Sequence, residues 1–407
     1  MNPIIYAIPV FLTTILLEAW IGRRRGKHIY DLPDAITSLH HGVLSQVVNT
    51  VAKVVTVGIY VAVYQALRLA SWPTDSILAW VVAALLFDFF YYWNHRLGHE
   101  VGVLWAAHVV HHSSEYFNLS TALRQSSSSA LLGWVFYLPM AVMGVPPVMF
   151  VIVGVINLLY QYWVHTELIG RLGWVDRVLV TPSNHRVHHG QNDYCIDKNY
   201  GGIFIIWDRI FGTFEEERDD EKVCYGIRKP LHSFNPIWGN LHYYVDLWRD
   251  SLRAQGLRSK LGVWLAPPGG WPTGPLAHFE PAGFTRFNPA PTRRMCWYVV
   301  SQYVVTNVLI VLFLAGFDRL TSPQVFAYSV LIGLTVVAMG GLLEGYAWAK
   351  RLERSRLLIA MVACAVFPVW AAFDVPIAAR IGFGVLFATA LIWMTRQGVA
   401  SRAGAAA

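Results

Sequence analysis

The chain has 407 residues, of which 55% are hydrophobic and only 14% are charged. A soluble domain carries about 25% charged residues, which it needs to keep its surface wetted. The composition therefore excludes an ordinary soluble protein and favours an all-α, polytopic membrane protein. The formal net charge is +7, but the basic residues gather at the ends of apolar segments, as in membrane proteins. We therefore expect a membrane and no nucleic-acid partner.

The apolar segments predict membrane helices, because a spanning helix needs roughly 20 mostly apolar residues. The candidate segments are 3–22, 43–70, 76–93, 130–147, 148–164, 297–316, 323–343, 357–372 and 378–395. The fourth and fifth are predicted to form a hairpin that dips into the membrane. We expect N-terminal transmembrane helices in 1–93, a catalytic region in 94–296 with this hairpin at about 130–164, and C-terminal transmembrane helices in 297–407.

Basic residues near the membrane predict the topology. The loops at 23–28 and 350–356 are rich in Arg and Lys, and such loops lie on the cytoplasmic side. The turns at 71–75, 144–147 and 317–322 then lie on the other side. The same assignment places a histidine-rich cap, and with it the active site, on the cytoplasmic side. The membrane would be the inner membrane of a bacterium or the endoplasmic reticulum of a eukaryote.

Nine of the 15 histidines fall between residues 95 and 189. They are His95, His99, His108, His111, His112, His165, His185, His188 and His189. The first two are four residues apart, and two triplets have the spacing i, i+3, i+4, which brings imidazoles to one face of a helix. Imidazole binds iron, zinc and copper, and nine are too many for one tetrahedral ion. The pattern predicts a centre of two metal ions, whereas His40 and His41 are interpreted as packing residues.

The spacing alone leaves the metal open. The HExxH motif of zinc proteases is absent, and zinc hydrolysis rarely needs so many histidines. A lipid C–H bond has no leaving group and yields only to an oxidant, so iron with O2 is the preferred interpretation. A zinc hydrolase remains an alternative. A membrane metal transporter is another, although its ligands would lie near the bilayer midplane.

Three motifs, NHRLGH (94–99), HVVHH (108–112) and HRVHH (185–189), resemble the histidine boxes of the fatty acid hydroxylase/sterol desaturase superfamily. Longer segments are similar to its ether-lipid-cleaving branch, the alkylglycerol monooxygenases. They are HHSSEYFNLSTALRQS (111–126), LLYQYWVHTELI (158–169) and TPSNHRVHHGQNDYCIDKNYGGIFIIWDRIFGTFEEE (181–217). The resemblance is dense over about 85–250.

The resemblance implies a membrane di-iron oxygenase that hydroxylates a lipid C–H bond with O2, with an alkylglycerol ether lipid as the first-ranked substrate. It implies that the eight box histidines bind two iron ions and that His165 is a ninth ligand. In the ether-lipid branch the reductant is a tetrahydropterin. The alternatives, a sterol desaturase or a fatty acid or sphingolipid hydroxylase, take electrons from a separate redox protein. A separate electron donor is therefore expected in either case.

Four further residues are candidates for an outer layer that orients the ligand imidazoles by hydrogen bonds. They are Asp88, Glu100, Asn184 and Asp208. The first is the strongest, because it falls on the helical stripe of His95 at membrane depth, where a carboxylate needs a partner. Asn184 stands where the ether-lipid branch tends to have a histidine just before the third box. This departure affects a neighbour of the ligands, not a ligand.

Overall fold

The computed structural model describes residues 4–269 and 277–396, and these form an almost entirely helical protein. The prediction of an all-α, polytopic fold is confirmed. Residues 1–3, 270–276 and 397–407 lie outside the described residues. They include the first residue of the first predicted span and the last part of the predicted C-terminal region.

Three apolar helices begin the described chain: α1 (Ile4–Arg24), α2 (Leu32–Leu67) and α3 (Ile77–Glu100). The second begins where the side chain of Asp31 accepts a hydrogen bond from the amide of Asp34, and the third where Ser76 caps the amide of Ala79. Such caps satisfy amides that have no partner within the helix. The 36 residues of α2 span about 54 Å, so part of this helix projects beyond a hydrocarbon layer of about 30 Å.

The middle of the chain folds into shorter helices. They are α4 (Gly102–Ala106), α5 (Val109–His112), α6 (Leu119–Ala122), α7 (Ser129–Leu132), α8 (Leu138–Met143), α9 (Pro147–Trp163), α10 (Pro182–His188), α11 (Ile206–Phe211), α12 (Pro236–Arg253) and α13 (Leu257–Leu265). A 3-10 turn at Gly133–Tyr137 links α7 to α8. The chain then reverses at Gly144, whose φ of 97° suits a residue without a Cβ atom.

Four helices and a small hairpin complete the described chain: α14 (Arg293–Gly316), α15 (Ser322–Leu343), α16 (Ala347–Val366), β1 (Val369–Trp370), β2 (Phe373–Asp374) and α17 (Ile377–Arg396). The two strands pair antiparallel. The bounds of the helix differ from the predicted span at 357–372. In the structure the helix begins at Ala347 and ends at Val366, two residues before Pro368. The residue before a proline disfavours the helical conformation, and proline lacks the amide that a helix requires.

Within the described residues, six helices are long and apolar enough to cross a membrane. They are α1, α2, α3, α14 with the turn that follows it to Arg319, α15 and α17. The two apolar helical segments of the predicted hairpin, the arms at 129–143 and 147–163, are shorter. The first half of α16 is polar, and Arg356 on it binds Glu353 and Gln302 in the protein interior. The protein is therefore a multi-pass membrane protein, and six of its described helices are candidates for full-length spans.

Hydrogen bonds between loops hold the end of α2 beside the end of α8 and the end of α1 beside the end of α9. The amide of Leu69 donates to the carbonyl of Val142 at 2.8 Å, and the indole of Trp72 donates to Met143 at 2.9 Å. Two of the turns predicted to share one side of the membrane thus lie together. At the other end, Lys27 donates to the carbonyl of Glu167 at 3.0 Å. The basic loop after α1 therefore lies beside the segment that carries His165.

Candidate metal centre

The structure brings all nine predicted histidines into one cluster. The end of α3 supplies His95 and His99, and the turn into α5 supplies the HVVHH motif. His165 follows the end of α9. The HRVHH motif lies on α10, and its last histidine, His189, is the C-cap residue of that helix. Eight of the nine side chains are buried, and His108 is half-buried. Histidines that are far apart in sequence therefore share one enclosed volume.

The cluster divides into two groups, and within each the ligand nitrogen atoms lie within 4.8 Å of one another. One group has five members, His95, His99, His108, His112 and His188; the other has four, His111, His165, His185 and His189. The second and third histidine motifs are each divided between the groups. The two groups are adjacent, because the rings of His112 and His189 stack with centroids 4.3 Å apart.

Main-chain carbonyls orient four of the rings. The Nδ1 atoms of His95, His111, His165 and His188 lie 2.8–2.9 Å from the carbonyl oxygens of Tyr200, Arg124, Gln161 and Lys198. A carbonyl oxygen can only accept a hydrogen bond, so each Nδ1 must carry the proton. In a neutral ring the Nε2 atom then presents a lone pair. The four lone pairs point into the cluster.

Lone pairs that face one another at short distance repel, and a bound cation would remove this repulsion. The Nε2 atoms of His165 and His111 are 3.3 Å apart, and neither carries a proton that could bridge them. The Nε2 atoms of His99, His188 and His189 are buried without a hydrogen-bond partner among the described residues. Buried polar atoms without partners are costly. Imidazole nitrogens in two compact groups fit two transition-metal ions, because each ion would satisfy several of these lone pairs at once.

The surroundings keep the rings neutral. Burial lowers the pKa of His111 to about 4. The pKa values of His112, His185 and His189 are lowered well below their usual range, first by burial and then by neighbouring imidazoles. Because only neutral imidazole binds a metal ion, the cluster holds its nitrogens in the form that metal binding requires.

Two of the four outer-layer candidates, Asp88 and Asp208, bind the loop whose main-chain carbonyl contacts a ligand histidine. Asp88 accepts hydrogen bonds from the amides of Ile203 and Phe204 and from the side chains of Asn157 and Trp207, at 2.7–3.0 Å. These contacts hold the loop that follows Tyr200, whose carbonyl orients His95. Within the described residues this carboxylate makes no hydrogen bond to a cluster imidazole.

Asp208 holds the same loop from the other side, since it accepts the amides of Tyr200 and Gly201 at 2.7 and 2.8 Å. Glu100 pairs with Arg96 at 2.9 Å, and the side chain of Asn184 accepts the amide of Thr181 at the start of α10. None of these three residues makes a hydrogen bond to a cluster imidazole within the described chain. The sequence assigned the tautomer-fixing role to side chains, whereas main-chain carbonyls accept the Nδ1 protons of four of the nine rings.

Sequence reasoning missed several residues that support the cluster. Arg124, which provides the carbonyl for His111, is buried and binds Asp34 on α2 at 2.7 Å. Glu18 on α1 accepts hydrogen bonds from the hydroxyl of Thr166, next to His165, and from the amide of Leu119. A carboxylate inside an apolar helix is a functional signal, and this signal identifies Glu18 in retrospect. No comparable signal marks Arg124.

A cavity of about 520 Å³ leads from the cluster into the membrane-spanning part of the protein. Its inner end is lined by His95, His108, His111 and His165. From there it runs between α1, α2, α9 and α14, past apolar side chains such as Ile8 and Val155. Cavities of this size and character bind small molecules and lipids. An apolar chain in this cavity would lie directly beside the imidazoles.

The model of the fatty acid hydroxylase family matches residues 80–213, the stretch that contains all nine histidines of the cluster. Together with the membrane helices and the histidine cluster, this match defines the class. The protein is a lipid-hydroxylating membrane oxygenase, an O2-dependent oxidoreductase. The prediction of this class from the histidine motifs is confirmed.

The chain is similar to alkylglycerol monooxygenases over most of its length. That of Danio rerio is 39% identical over 367 residues, covering 88% of this chain and 81% of the relative. That of Homo sapiens is 39% identical over 362 residues, covering 87% and 80%, and that of Xenopus tropicalis is 43% identical over 270 residues, covering 66% and 59%. The chain belongs to the alkylglycerol monooxygenase family. No solved structure matches it significantly.

Proposed function

We propose that the protein is a di-iron monooxygenase that hydroxylates an alkylglycerol ether lipid. The observation that carries the proposal is the position of the cavity, which ends at two compact groups of neutral imidazoles. The group of five and the group of four would each hold one iron ion. The similarity to alkylglycerol monooxygenases over 88% of the chain supports the choice of substrate.

When bound, two iron ions supply the activation of O2, so that one oxygen atom enters a C–H bond and the other leaves as water with two electrons and two protons from a donor. The chain's own residues prepare the site. The carbonyls of Tyr200 and Arg124 hold His95 and His111 in one tautomer, so the ligands need no rearrangement. The wall is mostly apolar, with Gln46, Asn49 and Lys53 of α2 among its polar members, and the apolar part would exclude water and hold the lipid chain in line with the cluster.

The proposed product follows from the chemistry of an ether. Hydroxylation of the chain carbon next to the ether oxygen replaces one hydrogen with a hydroxyl group and gives a hemiacetal. The hemiacetal breaks its C–O bond to the ether oxygen, which leaves with a proton as the alcohol of glycerol, and the chain leaves as a fatty aldehyde. The cavity fits this scheme, because its inner end at the imidazoles would take the carbon next to the ether oxygen while the mostly apolar remainder takes the alkyl chain.

We further propose that residues 94–296 form the catalytic region and that the cluster faces the cytoplasm. The support for the second point is that the basic loop at 23–28 lies beside residues 167–168, next to a predicted ligand, and basic loops face the cytoplasm. The electron donor is proposed to be a tetrahydropterin, with a separate redox protein as the alternative.

The test is to purify the full chain in detergent, measure iron and zinc per chain, and follow O2-dependent loss of an alkylglycerol with a tetrahydropterin present. About two irons per chain with turnover would support the whole proposal. Two irons without turnover would move the substrate to a sterol or fatty acyl lipid and the donor to a redox protein. Zinc alone, in material prepared without oxygen, would contradict the di-iron assignment.

A further inference from the structure

Two consecutive helices away from the histidine cluster present apolar side chains outward. Neither α12 nor α13 is among the described helices that are long and apolar enough to span a membrane. Five large apolar residues of α12 are exposed. Trp238 lies at the edge of the group, and the other four are Ile237, Leu241, Trp248 and Leu252. Their intervals of four, seven and four residues place them on one face. Trp248 and Leu252 are 58% and 60% exposed, so this face has no protein partner within the described chain.

The remaining surface of α12 divides into two other faces. Leu247 and Ser251 are buried against the protein. Arg249 and Arg253 lie next to the apolar face, are 62% and 79% exposed, and pair with Asp246 and Asp250 at 4.0 and 3.3 Å. A helix with one face on the protein, one apolar and one charged has the character of a helix at the boundary between water and lipid.

The next helix repeats this arrangement. Leu257, Leu261 and Leu265 of α13 are 74%, 58% and 66% exposed and lie at intervals of four residues. Val263, which points away from them, is buried. Arg258, directly after the first leucine, is exposed. Three leucines in a row along nine residues would be unfavourable in contact with water.

Hydrogen bonds place α12 at the edge of the membrane-facing surface. Its Asn240 accepts the amide of Ser127 at 2.8 Å, and its Tyr244 donates to the hydroxyl of Ser128 at 2.9 Å. These serines immediately precede the apolar arm at 129–143, where Leu131 and Val135 are half exposed. The apolar face of α12 therefore continues the lipid-facing belt of the spanning helices.

We propose that α12 and α13 lie in the plane of the membrane, with their apolar faces inserted into the phospholipid headgroup layer. A helix of this kind sinks about 5–10 Å into the boundary between headgroups and acyl chains. Trp248 suits this boundary, where tryptophan concentrates. The exposed guanidinium of Arg258, and those of Arg249 and Arg253 beside their aspartate partners, can bind phosphate oxygens in pairs of hydrogen bonds.

This in-plane pair is connected to the metal centre. The carbonyl of Ala266, at the end of α13, accepts the amide of Gly102 at 2.9 Å. The ring of Tyr243 on α12 packs edge-on against Trp105, which in turn lies 4.9 Å from the ring of His99. The membrane surface would thus fix the height of the cluster and of the cavity relative to the lipid. The inference concerns the lipid surface and depends on neither the metal nor the substrate.

The test uses nitroxide spin labels in the full chain reconstituted in phospholipid nanodiscs. Cys224, the only cysteine of the sequence that is not buried, is replaced by serine. A label is then placed by Leu252→Cys or by Leu261→Cys. The matched control is Arg253→Cys, one residue along the same helix on the charged face. Accessibility to O2, which concentrates in lipid, is compared with accessibility to a water-soluble nickel chelate.

We expect the labels at 252 and 261 to be several-fold more accessible to O2 than to the nickel chelate, and the label at 253 to show the reverse. Greater accessibility of all three labels to the nickel chelate would overturn the proposal. So would labels shielded from both reagents with dipolar broadening, since this outcome would mean that a second copy of the chain covers the face. These positions are exposed, so the label itself does not disturb the packed core.

Discussion

The main-chain carbonyl of Arg124 accepts the Nδ1 proton of His111 at 2.9 Å, while the guanidinium of the same residue binds Asp34 at 2.7 Å. One residue therefore joins a candidate metal ligand to the start of α2. The guanidinium also donates to Ser38 and Ser113 at 3.0 and 3.1 Å. Because its side chain is buried, the charge of Arg124 depends on these partners, and the position of His111 depends on Arg124.

We expect Asp34→Asn to destabilise the fold around the cluster. Removing one partner of a buried ion pair costs about 3–5 kcal/mol, because the other charge stays buried without compensation. Thermal unfolding in detergent should begin at a lower temperature, and iron per chain should fall. Asp219→Asn is the matched control, since its pair with Arg171 is exposed and such pairs contribute at most about 1 kcal/mol. Equal behaviour of the two variants would contradict the supporting role of Asp34.

The two groups of histidines should respond differently to the loss of one member. His165→Ala leaves three nitrogens in the group of four, whereas His99→Ala leaves four in the group of five. We expect about one iron per chain in the first variant and close to two in the second, as measured by elemental analysis. His28→Ala, an exposed histidine outside the cluster, serves as control. The assignment of the groups would be wrong if both ligand variants lost iron equally.

Asp88→Asn should lower metal content without touching a ligand. The carboxylate accepts four hydrogen bonds, and an amide NH2 in its place would face a donor. Each buried donor left without an acceptor costs about 1–3 kcal/mol. The loop that carries the carbonyl of Tyr200 would loosen and release His95. Iron per chain and activity are the measurements. Normal values of both would contradict the role of Asp88 in holding the loop that carries Tyr200.

The cavity can be tested by filling it. Val155 on α9 lines the cavity, whereas Ile156, the next residue, is 53% exposed and does not. We expect Val155→Trp to reduce activity on long-chain lipids at least tenfold and to favour shorter chains, because the indole occupies the space of the chain. Iron per chain should stay unchanged. Ile156→Trp faces the surrounding lipid and should behave as the parent protein; loss of activity in both variants would indicate a packing defect instead.

The sequence by itself determined the ligand candidates. Spacings of three and four residues identify imidazoles on one face of a helical turn, and this local geometry depends on neighbouring residues alone. The composition and the apolar segments also determined the class of fold. At 357–372 the bounds of the predicted segment differ from the structure, where the helix runs from Ala347 to Val366. A hydropathy pattern registers neither the proline at 368 that ends the helix nor the polar turns that begin it.

Only the tertiary structure decided how the nine histidines divide. The HVVHH motif gives His108 and His112 to one group and His111 to the other, since neighbouring positions on a short helix point to different sides. Which distant imidazole each one meets depends on how α3, α5, α9 and α10 pack. The main-chain carbonyls that accept the Nδ1 protons could not be predicted from the sequence either. A main-chain carbonyl is present at every residue, so no side-chain pattern distinguishes Tyr200 or Arg124 until the chain has folded around the cluster.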